Sequence, residues 1–183
     1  MIEDKERWNK RHVEKPMRSA VEPIVEKYIG LAIPGKALDI ACGIGRNTHY
    51  MVEKGFIVDA VDISDYALGE VNQNSCINKI ETDLDSFNIA PNSYDLVINI
   101  NYLNRRLFPQ IKESLKSGGV VIFETFIVAH GDFAQPANQE FLLRKNELLH
   151  AFIGLDIVYY EERDDVNLRG EKTRVASLVA CKA

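Results

Sequence analysis

An α/β fold, with a mostly parallel sheet, helices on both faces and an antiparallel strand near the C-terminus, is predicted by three observations. Short β-branched apolar runs alternate with longer amphipathic ones along the whole chain, the pattern of repeated strand–helix units. Two of the runs, Leu96-Val97-Ile98 and Val120-Val121-Ile122, are apolar without alternation, as strands covered on both faces are. The last two runs are joined by a charged stretch rather than a helix, which suits an antiparallel finish.

The elements follow in order. Residues 2–12 read as a charged helix carrying Trp8, and 19–30 as a second helix ending at Gly30 before the Pro34-Gly35 turn. Residues 36–40 form a short apolar strand. A helix over 46–54 stops at Gly55, and a strand covers 56–61. Ser64 is an N-cap for a helix reaching about Asn74. Strands are expected at 77–81 and 94–100. A helix over 106–116 closes on Ser117-Gly118-Gly119 and leads into a buried strand at 120–126. A helix over 142–152 precedes strands at 157–160 and 174–181, with 164–172 as the loop between them.

The 183 residues suit a single domain, 1–183. Hydrophobic residues at 46% and charged residues at 27% place the chain among ordinary soluble globular proteins. A net charge of -5 argues against bulk attraction to nucleic acid or anionic lipid. The charged start lacks the apolar core of a secretory signal. The longest nearly apolar run, 120–129, is interrupted by Glu124 and is too short to span a membrane. A cytoplasmic location, with no nucleic-acid or membrane partner, is the expectation. Three cysteines (Cys42, Cys76, Cys181) and four histidines are scattered without disulfide or metal spacing, so no metal site is expected.

The informative segment is Asp39-Ile40-Ala41-Cys42-Gly43-Ile44-Gly45-Arg46. Gly43 and Gly45 fall where the first strand turns into a helix. Glycines there permit a tight turn and close ligand approach, and the helix start behind them offers unpaired N–H groups. A dinucleotide fingerprint would place a third glycine where this chain has Thr48. A carboxylate at Asp39 would repel a pyrophosphate and suits an ammonium; its ordinary alternative is to cap the loop's own amides. Asp62, about 20 residues on and just past the second strand, is placed to accept both hydroxyls of a ribose. Asp59 is nearby but lies mid-strand. Asp83, after the third strand, could meet an adenine amino group. Arg46 opens a helix at its positive end, where a cation is unfavourable unless it meets an anion.

Together with Tyr94-Asp95-Leu96-Val97-Ile98 and Leu115-Lys116-Ser117-Gly118-Gly119-Val120-Val121-Ile122-Phe123-Glu124, these segments resemble the ordered motifs of class I S-adenosylmethionine (SAM)-dependent methyltransferases over nearly the whole chain. Glu6-Arg7-Trp8-Asn9-Lys10-Arg11, Glu124-Thr125-Phe126 and the stretch from Phe141 to Leu149 look like the small tellurite-resistance and thiopurine branch of that family. The resemblance implies a Rossmann-like fold and SAM as cofactor. It implies Asp39, Gly43 and Gly45 at the methionine portion, Asp62 and Ile63 at the ribose, and Asp83 and Leu84 at the adenine. Asn99, Asn101 and Tyr102 would lie beside the sulfonium and the substrate. Residues 1–30 would form a helical cap, with Trp8 and Arg11 over the cofactor. The family's nucleic-acid and protein-amide branches often carry a Pro-Pro motif after the fourth strand, which this chain lacks.

The implied partner is a small-molecule methyl acceptor, a thiol, metalloid oxyanion or small metabolite, served by a monomer or homodimer. On the acceptor side the candidates are Asn101, Tyr102, Glu124, His130 and Arg144. Four of them have an ordinary alternative: a tyrosine covering the sheet edge at Tyr102, a structural ion pair at Glu124, and surface positions for His130 and Arg144. Two other functions use much the same residues. One is a SAM-binding sensor without transfer, and the other, disfavoured by Thr48 and Asp39, is an NAD-linked oxidoreductase.

Overall fold

The computed structural model describes residues 2–14, 19–167 and 169–183. Residues 15–18 of the expected 1–30 cap, and Leu168 of the expected 164–172 loop, lie outside the described residues. Seven strands form one sheet in the order β3-β2-β1-β4-β5-β7-β6. They are β1 (Lys36–Ile40), β2 (Ile57–Asp62), β3 (Ile77–Glu81), β4 (Tyr94–Ile100), β5 (Leu115–Phe126), β6 (Asp156–Val166) and β7 (Lys172–Cys181). The first five run parallel; β7 pairs antiparallel with both β5 and β6. The order reverses between β1 and β4, so the crevice at their carboxyl ends is where a ligand is expected.

Helices cover both faces. On one, α2 (Pro23–Tyr28) and α3 (Arg46–Glu53) set Ile24, Val25 and Met51 against Leu96, Ile98, Val120 and Ile122. On the other, α5 (Leu107–Ser114) and α6 (Glu147–Ala151) bring Phe108, Ile111, Leu148 and Phe152 onto Leu38, Val97, Val121 and Phe123. The alternation along β4 and β5 assigns each apolar side chain to one of these layers. Each fully buried one contributes roughly 1.5–3 kcal/mol. Phe108, Phe123 and Phe152 form a triangle with centroids 5.7–5.8 Å apart, within the range of favourable ring contacts.

Several expected elements are redrawn. The second helix begins at Pro23 and not at 19, because the residue before a proline is driven extended; Glu22 has φ -68 and ψ 130. A 3-10 turn, Ile29–Leu31, closes it. The helix expected over 142–152 is only Glu147–Ala151. Leu142 and Leu143 are buried, and the Leu143 N–H donates to the Phe126 carbonyl while its own carbonyl accepts from Val128. Apolar burial there is achieved by extended pairing. β5 starts at Leu115, five residues earlier than expected, because Leu115 pairs with Tyr94 across an irregularity in the register. The expected loop over 164–172 is largely hairpin, since β6 runs to Val166 and β7 begins at Lys172.

The remaining two helices flank the carboxyl ends of the sheet. The helix α4 (Asp65–Glu70) is capped as expected, Ser64 Oγ accepting the Ala67 N–H at 3.0 Å, but it stops short of the expected Asn74 because Val71 turns extended. The helix α1 (Ile2–Glu14) lies against α4. Lys5 reaches Glu81 at 2.5 Å and Asp65 at 3.1 Å, and Asn9 donates to Asp65 at 2.7 Å. Ser64 Oγ also donates to Asn9 at 2.6 Å. Among the described residues no helix is long and apolar enough to cross a membrane.

Candidate cofactor and acceptor site

The loop from β1 to α3 is built on three left-handed residues in five: Ala41 (φ 55), Gly43 (φ 55) and Gly45 (φ 80). The turn is fixed by Cys42 N–H to the Val61 carbonyl and Gly45 N–H to the Cys42 carbonyl, each 3.0 Å. Gly45 serves two needs at once. A Cβ there would lie 2.9 Å from Val71 Cγ2 and 3.3 Å from His49 Cε1, and the positive φ strains any L side chain. Gly45→Ala is therefore expected to lower stability by about 1–3 kcal/mol, read as an earlier urea midpoint at unchanged slope; an unmoved midpoint would contradict the strain.

Asp62 stands at the end of β2, buried, and both its carboxylate oxygens are oriented by backbone. Oδ2 accepts the Gly43 N–H at 2.8 Å and Oδ1 the Ser64 N–H at 2.9 Å. This carboxylate locks the glycine loop to the second strand. Asp39, also buried, accepts the Thr48 hydroxyl at 2.6 Å. Burial pushes its carboxyl up to about 7, against the Thr48 hydrogen bonds and the Arg46 charge, with the Asp62 charge adding to the rise. Arg46 does not form an ion pair with Asp39. Its guanidinium pairs with Glu22 and donates to the Ala20 carbonyl at 3.2 Å. An acid within the chain thus answers the cation at the start of α3. Asp39 is left with the Thr48 hydroxyl as its partner.

Asp59 is spent on structure. It accepts from Tyr94 at 2.7 Å and Asn78 at 3.0 Å and pairs with Lys36 at 2.9 Å. Burial raises its carboxyl, but these three partners outweigh burial and hold it below the usual range. Cys42 is buried, and burial raises its thiol well above the ordinary value, with Asp39 and Asp62 adding to the effect. It is no nucleophile at neutral pH.

After β3, Asp83 Oδ1 accepts the Asp85 N–H at 2.9 Å, and Leu84 is buried. Arg106 holds this loop against the start of α5 through the Leu84 carbonyl at 2.8 Å and the Phe87 carbonyl. At the end of β4, buried Asn99 donates to the Tyr102 carbonyl at 2.7 Å. Asn101 takes a left-handed conformation (φ 59), and its N–H donates to the Glu124 carbonyl at 2.8 Å. Tyr102 is half-buried. Burial, with Asp85 and Asp83 adding, pushes its phenol up to about 12 against the Asn104 hydrogen bond. It offers a ring face and a hydroxyl, not a base.

Glu124, two residues before the end of β5, is buried and accepts from Ser177 Oγ at 2.5 Å and from Arg163 at 2.9 Å. His130 is exposed in the loop beyond β5, and Arg144 is exposed before α6. On α1, the Arg11 guanidinium sits 4.9 Å from the Trp8 ring centroid, and His12 lies 6.0 Å from the same ring. Burial lowers the His12 imidazole, opposed by the charge of Asp62; the Ser64–Asn9 hydrogen bond places this face of α1 near the second strand's end.

The expected residues thus fall into groups. Asp39, Gly43, Gly45, Arg46, Asp62 and Ile63 gather at the ends of β1 and β2, Asp83 and Leu84 follow β3, and Asn99, Asn101, Tyr102 and Glu124 mark the ends of β4 and β5. Sequence reading missed Asn9 and His12, Glu22 as the partner of Arg46, and Arg163 and Ser177 as partners of Glu124. Lys5, Asn9 and His12 recur at spacings of four and three, one face of a helix, and that periodicity was the available signal. The partners contributed by β6 and β7 had none.

Comparison with known proteins identifies the family and the fold. The family model described as "Tellurite resistance protein TehB" matches residues 1–173. A probable S-adenosyl-L-methionine-dependent methyltransferase TehB of Haemophilus influenzae (strain ATCC 51907 / DSM 11121 / KW20 / Rd) is 28% identical over 166 residues, 81% of this chain and 58% of the relative. The chain therefore spans little more than half the length of that curated protein. The crystal structure of TehB from Haemophilus influenzae superposes with a TM-score of 0.75 at 22% identity, covering 98% of this chain and 67% of that one. A Haemonchus contortus phosphoethanolamine N-methyltransferase 2, in complex with S-adenosyl-L-methionine, gives a TM-score of 0.67 at 15% identity, over 87% of this chain and 51% of that one. The folds agree, and with a family match over 173 of 183 residues the chain belongs to the tellurite resistance protein TehB family.

Proposed function

We propose that the chain is a SAM-dependent methyltransferase acting on a small molecule, a thiol, metalloid oxyanion or other small metabolite. The observation that carries this reading is Asp39. It is a buried carboxylate hydrogen-bonded by Thr48, while the neighbouring arginine is committed to Glu22. A buried anion lacking an ion pair is costly, and a ligand ammonium beside the glycine loop removes that cost. The amino-acid portion of SAM carries one.

The other contacts fit the same ligand. Each oxygen of Asp62 uses one lone pair on a backbone N–H, and a carboxylate has about four acceptor positions, enough for two ribose hydroxyls. Asp83 and Leu84 are assigned to the adenine, Ile63 to the ribose edge, and Asn99 to holding the turn at Tyr102. Trp8 and Arg11, on α1, are assigned to the cap over the site. When bound, SAM supplies an electrophilic methyl group. The chain's part is to orient the acceptor and exclude water, and orientation alone is worth roughly 7–11 kcal/mol. Asn101, Tyr102 and Glu124 line the acceptor side; His130 and Arg144 stand further out as candidates for an anionic acceptor.

The test is thermal unfolding with ligands. SAM and S-adenosylhomocysteine (SAH) are expected to raise the melting temperature, by an amount equal to about 2.7 kcal/mol at 100 times Kd, and NAD is not. A shift with NAD alone would overturn the reading. Mass-spectrometric detection of SAH formed with an acceptor panel then separates transfer from mere binding.

A further inference from the structure

Glu124 is more than half of a buried ion pair. Both of its hydrogen bonds within the chain, from Ser177 Oγ and from Arg163, converge on Oε2. Arg163 also donates to Ser177 Oγ, so the three groups close a ring. No described buried side-chain oxygen lacks a partner, and Oε1 has none within the chain; Oε1 therefore has solvent access although the residue is 3% exposed. Its strand position is equally specific. Glu124 pairs with Ile100, the last residue of β4, and its carbonyl holds Asn101. It stands one strand beyond the switch point between β1 and β4, on the sheet face that also carries Asp39.

The surrounding charge is set by three elements. Glu22, ahead of α2, adds negative potential; Arg163 on β6 opposes it, itself shared with Asp165 at 3.7 Å; Ser177 on β7 donates. Burial raises the Glu124 carboxyl, while Ser177 and Arg163 hold it down. A carboxylate so placed, with one oxygen held by Arg163 and Ser177 and the other open, accepts a proton from a donor.

Resting on the methyltransferase reading, we propose that Glu124 Oε1 is the proton acceptor of the acceptor site, that Arg163 and Ser177 are its positioning residues, and that the acceptor is a small molecule bearing an X–H group (alcohol, thiol or amine). In the step, the bond formed is X–C and the bond broken is C–S, its electron pair remaining on sulfur. The proton displaced from X passes to Oε1 and then to water.

The experiment uses the full chain. SAH formation is measured with SAM and catechol, 2-mercaptoethanol, benzylamine or selenite, across pH 5–9, for wild type, Glu124→Gln, Arg163→Lys and Ser177→Ala. SAM affinity is measured for each by calorimetry, and the Glu124 carboxyl is titrated by carbon NMR in wild type and Ser177→Ala. Wild type is expected to turn over an X–H probe. Glu124→Gln is expected to keep its SAM Kd within twofold and lose about 100-fold in kcat. In Ser177→Ala the carboxyl titration and the acid limb of kcat/KM are expected to move together to higher pH, because the removed hydroxyl held the carboxyl down; Arg163→Lys, which keeps the cation but loses the guanidinium fork to Oε2 and Ser177, is expected to move the acid limb the same way. A purely structural role would lower the rate without moving that limb. Turnover of selenite alone, a Glu124→Gln rate within threefold of wild type, or an unmoved acid limb would overturn the base assignment and leave the methyltransferase reading intact. SAM binding without turnover of any probe would overturn transfer itself and the base with it. No SAM binding by wild type would overturn both at the cofactor.

Discussion

Asp62→Ala is expected to remove measurable SAM binding and to destabilise the free chain in the same stroke. The carboxylate accepts the Gly43 and Ser64 N–H groups inside the structure, so the substitution leaves two donors at a buried position without partners. Each such loss costs about 1–3 kcal/mol. The same substitution removes the acceptor for two ribose hydroxyls. Hydrogen bonds to a charged group contribute about 1.5–3 kcal/mol each, so the Kd is expected to rise at least about 100-fold. Asp62→Asn retains one carbonyl oxygen for Gly43 but turns a donor toward Ser64 or the ligand, and should fall between. Titration calorimetry measures the binding change and urea unfolding the stability change. A SAM Kd within twofold of wild type in Asp62→Ala would mean that the ribose sits elsewhere.

The second large effect is a pH dependence of SAM binding centred on Asp39. In the free chain, burial holds this carboxyl up to about 7. Its contribution to the free chain's stability is present in full below the ordinary carboxylate range, declines as pH rises from about 4 to 7, and is constant above that. An ammonium beside it favours the ionised form and pulls the value down. Binding therefore expels a proton below about pH 7. Affinity should be flat from pH 7 to 8 and weaken up to tenfold per pH unit below it. Calorimetry at pH 6 in two buffers of different ionisation enthalpy should register proton release approaching one per SAM. Asp39→Asn should bind weakly at every pH without that slope, and its free form should be more stable than wild type at pH 8, where the wild-type carboxylate is ionised and buried. A wild-type affinity independent of pH between 5.5 and 8 would remove Asp39 from the ammonium site.

What the sequence disclosed, and what it withheld, follows physical lines. The parallel half of the sheet was legible because strands covered on both faces must be apolar throughout, and Leu96-Val97-Ile98 can be little else. The turn from β1 into α3 was legible because its glycines answer to backbone geometry. The stretch at Leu142-Leu143 misled because an apolar pair buried by extended pairing has the same composition as one buried on a helix. Edge strand β6 was under-read because its residues are mostly exposed or half-buried on both sides, which leaves no alternation to detect. The site divides the same way. Asp39 and Asp62 are fixed by position relative to the glycines, but the partners that define Glu124 arrive from β6 and β7, some forty and fifty residues on. No local pattern encodes that meeting.

The charged course of β6 bears on how copies of this chain can associate. The strand is the outer edge of the sheet, and edges invite sheet continuation by a neighbour. Centred on Arg163, the segment reads Glu161-Glu162-Arg163-Asp164-Asp165. Two copies pairing antiparallel about that centre would set Glu162 against Asp164 and Glu161 against Asp165 on both sides, with arginine facing arginine in the middle. Every cross-strand pair would join like charges, each unfavourable. The segment that supplies Arg163 to Glu124 thus also disfavours sheet continuation between two copies paired about that residue.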